Sequence, residues 1–472
     1  MKHKKMITIL LSAIMTLSLI ACGETDESST KDLSADTEVD EEIFIDQDNA
    51  ETSDKVKNVE LEAFNTDPTI EETILVDEYD VKITATDLAY TSYSIQLNLM
   101  IENNSDKDLT FISGSAGYSW NAVNGYMISD GYMNADVSAG KKANETVSFS
   151  LDELAIYGIT EIADIQIGFD ISDEDYNHTY LGPRQVRTSA ADTYDYDTDT
   201  YKICMSEGIL ESMYDCSIDY YAEDELYDQN GIRIVSEALV TNKDGGRVLF
   251  LEVENQTSDC VYAVTADVSV NGLLVCSGSW RSDSLNPGTR RVMDLGVTSM
   301  LDKAYWEIFG ISDIGEITCT VALKDLEYDD MVDPQEIYIN ISDMAVPIDD
   351  SGDELYSENG VRFVSKGMVE DSFEYSDDIH MLLLVENKST DLIYVDDVYD
   401  SLSINGYMTD YITFGKEVYP GMQAVIDVEI RGSSLEKNGI VGIEDIAEAE
   451  ISFEIRDDNY HSISEPKLFI TY

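Results

Sequence analysis

The chain has 472 residues and carries 95 aspartates and glutamates against 29 lysines and arginines, which gives a formal net charge of −66 at pH 7. A surface with this excess of negative charge repels phosphate, so the composition argues against nucleic acid and anionic lipid headgroups as ligands. Hydrophobic residues nevertheless make up 43% of the chain, and 29 residues are tyrosines. This apolar content is enough for packed domains, and the length predicts about three of them.

The N-terminus has the pattern of a secretory signal. Three lysines within residues 1–5 precede fifteen apolar or small residues from Met6 to Ile20, a run that is short for a membrane span. The sequence Leu19-Ile20-Ala21-Cys22, followed by glycine, resembles the lipobox of bacterial lipoproteins. The resemblance implies cleavage after residue 21 and diacylation of the Cys22 thiol. Two acyl chains give lasting attachment to a membrane, where a single chain is marginal.

We therefore expect the mature protein on the extracytoplasmic face of the cell membrane, held through the lipid on Cys22. The lysine-rich, low-proline sequence resembles lipoproteins of Gram-positive Firmicutes. Residues 23–66 contain fifteen acids and only two aromatics, Phe44 and Phe64. Such a composition favours a solvated chain without a core, so the sequence predicts a disordered acidic tether at 22–70.

Beyond the tether, two motifs occur three times in the same order. The first is Glu-Asn-x-Ser/Thr after an alternating apolar run, and its asparagines are Asn103, Asn255 and Asn387. The second is an apolar residue followed by Asn-Gly, and its asparagines are Asn124, Asn271 and Asn405. Asn-Gly predicts a β-hairpin because both central residues of a two-residue turn need positive φ. The first asparagine is expected to satisfy the backbone of its own turn.

Further landmarks complete each copy. A turn glycine precedes another alternating run, at Gly140, Gly288 and Gly421. A capping box then predicts the start of a short helix, formed by the pairs Ser150 with Glu153, Ser299 with Asp302, and Ser433 with Glu436. The glycines that end these helices are Gly158, Gly310 and Gly439. A run with period two follows each helix, which is typical of a strand with one face in a core.

Short strands, one hairpin and one helical turn in about 120 residues predict an immunoglobulin-like β-sandwich. The pattern resembles the extracellular immunoglobulin-like domains of Gram-positive lipoproteins of uncharacterised function. The predicted fold class is mainly β, with three tandem immunoglobulin-like antiparallel β-sandwiches, each with one short capped helix, after the tether. The predicted segments are a signal peptide at 1–21, the tether at 22–70, sandwiches at 71–189, 224–342 and 353–472, and linkers at 190–223 and 343–352. The segment 190–223 is alternatively an added strand of the second sandwich, and the sequence leaves this open.

Acidic clusters and two histidines are the candidate ligand-binding features. The clusters lie at 192–200, 325–334, 349–354 and 456–461, and none completes the EF-hand loop. We therefore predict no cofactor, and weak association with Ca²⁺ at most. His178 and His461, near Asp175 and Asp458, have the chemistry of a metal ligand or general base, although an exposed loop histidine is the simpler interpretation.

Cysteines and tryptophans point to packing rather than chemistry. Of the five cysteines beyond the signal, Cys204 and Cys216 form the favoured disulfide, a bond between Cys260 and Cys276 is not expected, and Cys319 is predicted to be a buried apolar residue. Trp306 is predicted to pack under its sandwich. Trp120 and Trp280 lie near hairpin tips, where packing is favoured over stacking on a ligand.

The resulting functional prediction is a tethered, non-enzymatic surface protein that binds an envelope protein or glycan or acts as a spacer. The alternative is a carboxylate-dependent hydrolase acting on wall or glycan material, because carboxylate pairs are abundant. A transporter's solute-binding lipoprotein is disfavoured, since such proteins are built from βαβ units and this chain shows almost no long helical periodicity.

Overall fold

The structure, a computed structural model, describes residues 64–114, 121–243, 245–276, 279–297, 303–342, 347–371 and 376–472. This part of the chain is mainly β, with several antiparallel sheets and five short α-helices. Side chains from facing sheets share apolar cores, as in β-sandwiches. The mainly β, antiparallel fold class predicted from the sequence is confirmed.

The elements follow one another in three stretches. The first stretch contains β1 (Thr73–Glu78), β2 (Val81–Tyr90), β3 (Ser94–Asn103), β4 (Leu109–Ser113), β5 (Ala122–Val123), β6 (Tyr126–Met127), β7 (Met133–Val137), β8 (Lys142–Ser150), α1 (Leu151–Ile156), β9 (Asp164–Asp173) and β10 (His178–Arg187). The second contains α2 (Thr200–Ser206), α3 (Ile209–Met213), β11 (Cys216–Ala222), β12 (Tyr227–Gln229), β13 (Ile232–Asn242), β14 (Arg247–Asn255), β15 (Val261–Val270), β16 (Leu273–Leu274), β17 (Ser279–Leu285), β18 (Arg290–Gly296), α4 (Lys303–Ile308), β19 (Glu316–Lys324) and β20 (Gln335–Asn340). The third contains β21 (Asp353–Glu358), β22 (Val361–Glu370), β23 (Ile379–Asn387), β24 (Ile393–Asp397), β25 (Ser403–Ile404), β26 (Tyr407–Met408), β27 (Tyr411–Ile412), β28 (Lys416–Val418), β29 (Gln423–Ile430), α5 (Gly432–Lys437), a 3₁₀ turn (Ile443–Asp445), β30 (Glu448–Arg456), β31 (Ser462–Ser464) and β32 (Lys467–Thr471).

Four sheets hold the strands. Sheet A has the order β1-β2-β3-β8. Sheet B has the order β11-β13-β14-β18-β6-β5-β9-β4-β7, with β10 beside β9 and β12 beside β13. Sheet C has the order β20-β19-β15-β16-β29-β23-β22-β21, with β17 beside β15 and β27 beside β29. Sheet D has the order β26-β25-β30-β24-β28, with β31 and β32 beside β30. Sheets B and C therefore each take strands from two of the predicted sandwiches.

Period-two strands supply the cores as the sequence predicts. In β9, Ile165, Ile167 and Phe169 are buried, while the alternate residue Gln166 is only half-buried. Three large apolar clusters result, one for each stretch of elements. Each buried aliphatic or aromatic side chain contributes about 1.5–3 kcal/mol, so these faces dominate the stability of the sheets.

The Asn-Gly pairs form the predicted hairpin turns. Asn124, Asn271 and Asn405 have φ of 50°, 50° and 51°, and the glycine after each also has positive φ, as a type I′ turn requires. Each asparagine side chain also binds the loop that follows its helix. Asn124 Nδ2 donates to Glu161 O at 2.7 Å, and Oδ1 accepts from the backbone N–H groups two and three residues further along. The other two asparagines make the same three bonds.

The asparagine of each Glu-Asn-x-Ser/Thr motif is fully buried and closes a turn. Asn103 Nδ2 donates to the carbonyl oxygens of Lys107 and Val137 at 2.8 and 2.7 Å. Its Oδ1 accepts from the backbone N–H and the hydroxyl of Ser105 at 3.0 and 2.6 Å. Asn255 and Asn387 make the same four bonds. These contacts support the turn role expected from the sequence.

All three predicted helix-ending glycines are confirmed. Gly158, Gly310 and Gly439 have φ of 68°, 67° and 76°. The isoleucine after each glycine donates its N–H to the carbonyl five residues earlier, for example Ile159 to Leu154 at 3.0 Å. This is the Schellman arrangement, in which a left-handed glycine lets the chain turn back over the last helical carbonyls.

The capping box predicted for α1 is wrong in its pairing. Ser150 is the N-cap, but its hydroxyl accepts from the N–H of Asp152 at 3.2 Å. Glu153 does not return to Ser150, because its carboxylate accepts from the backbone N–H groups of Ser129 and Asp130 at 2.6 and 2.9 Å. The buried acid thus stabilises a neighbouring loop instead of the helix start.

The other two capping boxes also need correction or fall outside the structure. Ser433 lies inside α5, whose N-cap is Arg431, and the Gly432 N–H donates to Asp378 Oδ1 at 2.8 Å. The carboxylate of Asp378, which lies just before β23, therefore takes the place of the predicted serine. The pair Ser299 and Asp302 lies outside the described residues.

The segment 190–223 is folded. It forms α2, α3 and β11, and β11 pairs with β13 in sheet B. Tyr201, Cys204 and Leu210 are buried in the first core. Of the two alternatives that the sequence left open, the added strand is the one in the structure, because apolar side chains of α2 and α3 anchor the segment.

The last residues of the predicted tether also pack against the fold. Phe64 is buried near the ring of Tyr90, with 6.4 Å between ring centroids. Ile70 forms an antiparallel bridge with Thr188. The prediction of a tether up to residue 70 is therefore wrong for residues 64–70, which pack against the fold.

Candidate functional site

The predicted lipidation site, Cys22, lies outside the described residues, as does the N-terminal part of the tether. Within the described ranges, no helix is both long and apolar enough to cross a membrane.

Two of the acidic clusters serve hairpin turns. Asp325 Oδ1 accepts from the N–H groups two and four residues ahead at 3.0 and 2.9 Å. Asp457 Oδ1 does the same, with both distances 2.9 Å, and Asp173 repeats the pattern in the first stretch. A tyrosine with positive φ stands three residues after each aspartate, at Tyr176, Tyr328 and Tyr460. This repeated Asp-x-x-Tyr turn was not predicted from the sequence, because its aspartates were considered only as members of acidic clusters.

The part of the chain that the structure describes contains no preformed metal site. No group of three or more histidine, cysteine, aspartate or glutamate side chains is placed there to hold an ion. Asp349, in another acidic cluster, accepts from the N–H of Ser351 at 2.9 Å. Weak association with Ca²⁺ stays a prediction.

Both candidate histidines lie beside an aspartate. His178 Nδ1 is 3.0 Å from both carboxylate oxygens of Asp170, and His461 Nδ1 is 3.5 Å from Asp457 Oδ2. These are different acids from the two that the sequence suggested. The side chain of His461 is 80% exposed, which fits the simpler interpretation of a surface loop residue.

His380, to which the sequence assigned no role, is the most buried of the three described histidines. Its Nδ1 lies 3.0 Å from both oxygens of Asp427, and its Nε2 lies 4.0 Å from Asp371. Burial lowers the pKa of His380, but the hydrogen bond to Asp427 and the nearby acids outweigh burial and raise it overall. The pair joins neighbouring strands β23 and β29.

The favoured disulfide is absent. No disulfide joins any of the five described cysteines, and Cys204 Sγ lies 3.6 Å from Ala155 O while Cys216 Sγ lies 4.0 Å from Leu210 O. Helix α2 directs Cys204 into the first core, whereas Cys216 begins an outer strand. The prediction for Cys319 is confirmed: it is fully buried in the second core.

Trp306 packs in the second core, as predicted. Trp120 and the side chain of Trp280 lie outside the described residues.

The most distinctive geometry lies where the predicted sandwiches meet. We call the predicted sandwiches 71–189, 224–342 and 353–472 the first, second and third units. Strand β6 of the first unit lies parallel to β18 of the second, with Tyr126 opposite Arg290. The Arg290 N–H donates to Gly125 O at 2.8 Å. We call this pairing the first seam.

The second seam repeats the first at equivalent positions. Strand β16 follows Gly272, as β6 follows its own Asn-Gly turn. It lies parallel to β29 of the third unit, with Leu273 opposite Gln423 and Leu274 opposite Ala424. Both receiving strands, β18 and β29, begin two residues after their turn glycine. Sequence analysis identified each motif but not that one unit's hairpin pairs with the next unit's strand.

Partly buried charges surround the first seam, and Glu252 among them is fully buried. The Arg290 guanidinium contacts Asp199 and lies 3.3 Å from Glu252 and 3.5 Å from Glu254. Asp199 also accepts from the hydroxyl of Tyr126 at 3.0 Å. Burial, together with the Asp199 charge, raises the pKa of Glu252 to about 7. Removing one member of such a network leaves its partners buried and unpaired, which is costly.

A second buried charge cluster occupies the adjoining strands. Arg281 lies 2.6 Å from Asp283 and 2.9 Å from Asp294, and Arg291 lies 2.8 Å from Asp283. Burial raises the pKa of Asp294 to about 7. Burial acts in the same direction on Asp283, but Arg291 and Arg281 lower its pKa below the ordinary value. The two arginines and two aspartates therefore form a mutually paired structural group.

An open cavity of about 250 Å³ lies beside the first seam. Its lining is polar and consists of Gly125, Asp164, Gln166, Gln185, Arg187, Tyr196 and Gly288. Burial raises the pKa of Asp164. The lining therefore includes a carboxyl group, a guanidinium and two amides.

Comparisons with known proteins give no family assignment. No protein-family model and no curated protein matches the chain. Similar solved structures include the exo-chitosanase CsxA of Amycolatopsis orientalis, with 8% identity over 86% of this chain and 78% of that chain and a TM-score of 0.17. They also include a 1.5-MDa bacterial ice-binding adhesin, with 9% identity, 80% and 90% coverage and a TM-score of 0.13, and the BSP domain of a biofilm associated protein, with 9% identity, 87% and 68% coverage and a TM-score of 0.14. TM-scores this low carry no argument about function.

Proposed function

We propose that the chain is a lipid-anchored protein on the extracytoplasmic face of the cell membrane and that its β-sandwich units form a non-enzymatic binding or spacer module. The observation that carries this proposal is the pair of seams. At each seam a sheet continues from one unit into the next, so neighbouring units are constrained by backbone hydrogen bonds as well as by a linker. Units joined in this way present a fixed surface to a partner.

Shared cores strengthen the coupling. The first core includes Ala238 and Val292 from the second unit, and the second core includes Leu382, Leu384 and Val425 from the third. Separating two units therefore exposes apolar side chains, at about 25 cal/mol per Å² of apolar surface. This cost favours a fixed arrangement of units over free hinge motion, as a spacer or a composite binding surface requires.

The anchoring part of the proposal follows from the N-terminal sequence. We would express the full chain in a Gram-positive host, label it with an alkyne analogue of palmitate, and separate membrane from medium. The wild type is expected to carry label in the membrane fraction, and Cys22→Ser is expected to be unlabelled and released. Cys260→Ser, which removes a half-buried thiol elsewhere, is the matched control. An unlabelled wild type would refute the anchor.

The binding role is tested separately with residues 23–472, which include every described residue. The tagged chain is incubated with envelope extract, crosslinked and recovered. Reproducible capture of one protein or glycan would establish binding and identify the ligand class. Capture of nothing by a folded chain would favour the spacer role.

A carboxylate-dependent surface hydrolase remains the second candidate, and the cavity at Asp164 is the observation that favours it. A buried carboxyl group with a raised pKa is suited to general acid catalysis. Turnover of a wall or glycan substrate that is lost in Asp164→Asn, with unchanged melting temperature, would support hydrolysis. Turnover that persists in Asp164→Asn would exclude this cavity as its site.

A further inference from the structure

The first and third units each carry a strand that is equivalent to one half of a seam. The receiving strands of the two seams are β18 and β29, and the equivalent strand of the first unit is β8, which begins two residues after Gly140. Strand β8 is the end strand of sheet A. The donated strands are β6 and β16, and the equivalent strand of the third unit is β26, which follows Gly406. Strand β26 is the end strand of sheet D.

The donated strands β6 and β16 are paired with a neighbouring unit and are buried, whereas the equivalent strand β26 is exposed. Tyr126 and Met127 of β6 are 4% and 0% exposed, and both residues of β16 are fully buried. Tyr407 and Met408 of β26 are 55% and 62% exposed. The sequence is Asn-Gly-Tyr-Met in both the first and the third units. The difference in exposure therefore comes from the neighbouring unit, which covers β6, whereas no strand among the described residues pairs with β26 in this way.

The open edge of β8 has the chemistry of the strand that receives β6. Arg290 of β18 is opposite Glu254 across its own sheet and ion-pairs with it. Lys142 of β8 is opposite Glu102 in the same way, with 2.5 Å between Nζ and Oε2. Strands β18 and β8 therefore both begin with a basic residue whose side chain forms an ion pair with the glutamate of a Glu-Asn motif.

The backbone groups of β8 also point in the same directions as those of β18. The Lys141 carbonyl accepts from the Asn103 N–H at 2.9 Å, as the Thr289 carbonyl accepts from Asn255 at 2.8 Å. Because successive residues of a strand direct their backbone groups to opposite sides, the N–H of Lys142 faces the open edge. It corresponds to the Arg290 N–H, which binds the donated hairpin.

We propose that β26 of one copy of this chain adds to β8 of a second copy, parallel and with Tyr407 opposite Lys142, and thereby joins the chains head to tail. The contact continues a pairing that the chain already uses twice internally. Charge supports it, because Lys141 and Lys142 lie at the receiving edge while Asp400 and Asp410 flank the hairpin in sequence. Such a contact is heterologous, so each added copy leaves one hairpin and one edge available for the next copy.

The test is sedimentation velocity on residues 23–472 from about 1 μM to about 100 μM, a range suited to small transient contacts. The wild type is expected to sediment faster as concentration rises. Met408→Asp disables the hairpin, and Lys142→Pro removes the N–H at the edge, where a proline at the first residue of a strand is tolerated. Each variant is expected to associate at least tenfold more weakly. Met331→Asp, at an exposed methionine of the second unit, is the matched control and should behave as wild type.

Mixing the two variants separates this pairing from other association. The Met408→Asp variant keeps an intact receiving strand β8, and the Lys142→Pro variant keeps an intact hairpin at β26. One copy of each can therefore pair once, so an equimolar mixture is expected to form dimers but nothing larger. A wild type that stays monomeric, variants that associate like wild type, or a mixture without dimers would each overturn the proposal. Circular dichroism melting confirms that the variants are folded, and Lys142→Glu replaces the proline variant if it is not. Because residues 23–472 lack Cys22, the result is independent of anchoring through that residue.

Discussion

Replacing Asn103 by alanine is expected to lower the free energy of unfolding by about 4 kcal/mol. The side chain is fully buried and makes four hydrogen bonds, two from Nδ2 to the carbonyls of Lys107 and Val137 and two accepted by Oδ1 from Ser105. Each bond contributes about 1 kcal/mol net. Alanine also leaves the Val137 carbonyl buried without this partner. The loss of stability is therefore expected to equal or exceed the sum of the four hydrogen bonds.

The assay is urea unfolding of residues 23–472, followed by circular dichroism and tryptophan fluorescence. Asn104→Ala is the matched control, because Asn104 is the adjacent residue and its side chain is exposed. It is expected to change stability by no more than about 0.5 kcal/mol. Asn255→Ala and Asn387→Ala remove the same four bonds from the other units. Each is expected to cost as much as Asn103→Ala within about 1 kcal/mol.

The reasoning would be refuted if Asn103→Ala and Asn104→Ala were equally stable. A large cost at Asn103 with none at Asn255 and Asn387 would show instead that the three turns are not energetically equivalent, despite their identical hydrogen bonds.

Three other predictions concern buried groups and strained turns. Burial raises the pKa of Glu237 from 4.5 to about 7, so the folded chain holds this proton more tightly than the unfolded chain, and stability is lost as pH rises through that interval. Calorimetry should therefore show that Glu237→Gln raises the melting temperature at about pH 8 and leaves it unchanged at about pH 4. Urea unfolding should show that Gly439→Ala costs about 1 kcal/mol for its left-handed backbone, and that Gly158→Ala costs at least twice as much, since its Cβ would lie 2.5 Å from Thr200 O. Burial raises the pKa of the Cys319 thiol to about 12, so mass spectrometry should find it unmodified by iodoacetamide at neutral pH until the chain unfolds.

Local turn chemistry is the part of the fold that the sequence predicts well. The Asn-Gly hairpins and the helix-ending glycines such as Gly158 depend on φ values that few residues adopt, so a dipeptide or one glycine carries the information. The capping boxes fail because an acid has several possible partners: Glu153 binds the loop at Ser129 and Asp130. A short motif does not show which backbone N–H groups lie within reach after the chain has folded.

The seams were beyond sequence reasoning for a different reason. Tyr126 and Arg290 pair across two units, and no alternation or spacing within either strand signals a partner so far along the chain. The charge cluster at Arg281 and Asp294 was missed for the same reason, because it joins β17 and β18, two strands that belong to different sheets. The Asp-x-x-Tyr turns did carry a signal, since Asp173, Asp325 and Asp457 recur with the same spacing as the Glu-Asn motifs.

The long sequence separation across the first seam also affects when the fold is completed during synthesis. Roughly 160 residues lie between Tyr126 and Arg290, and at about 5–20 residues per second they take about ten to thirty seconds to synthesise. Throughout that interval the hairpin of the first unit has no receiving strand of its own. A nascent chain is therefore the state most open to pairing with the edge of another copy. Slow emergence of residue 290, from the ribosome or from the export channel, would favour such misassembly, and rapid emergence would suppress it.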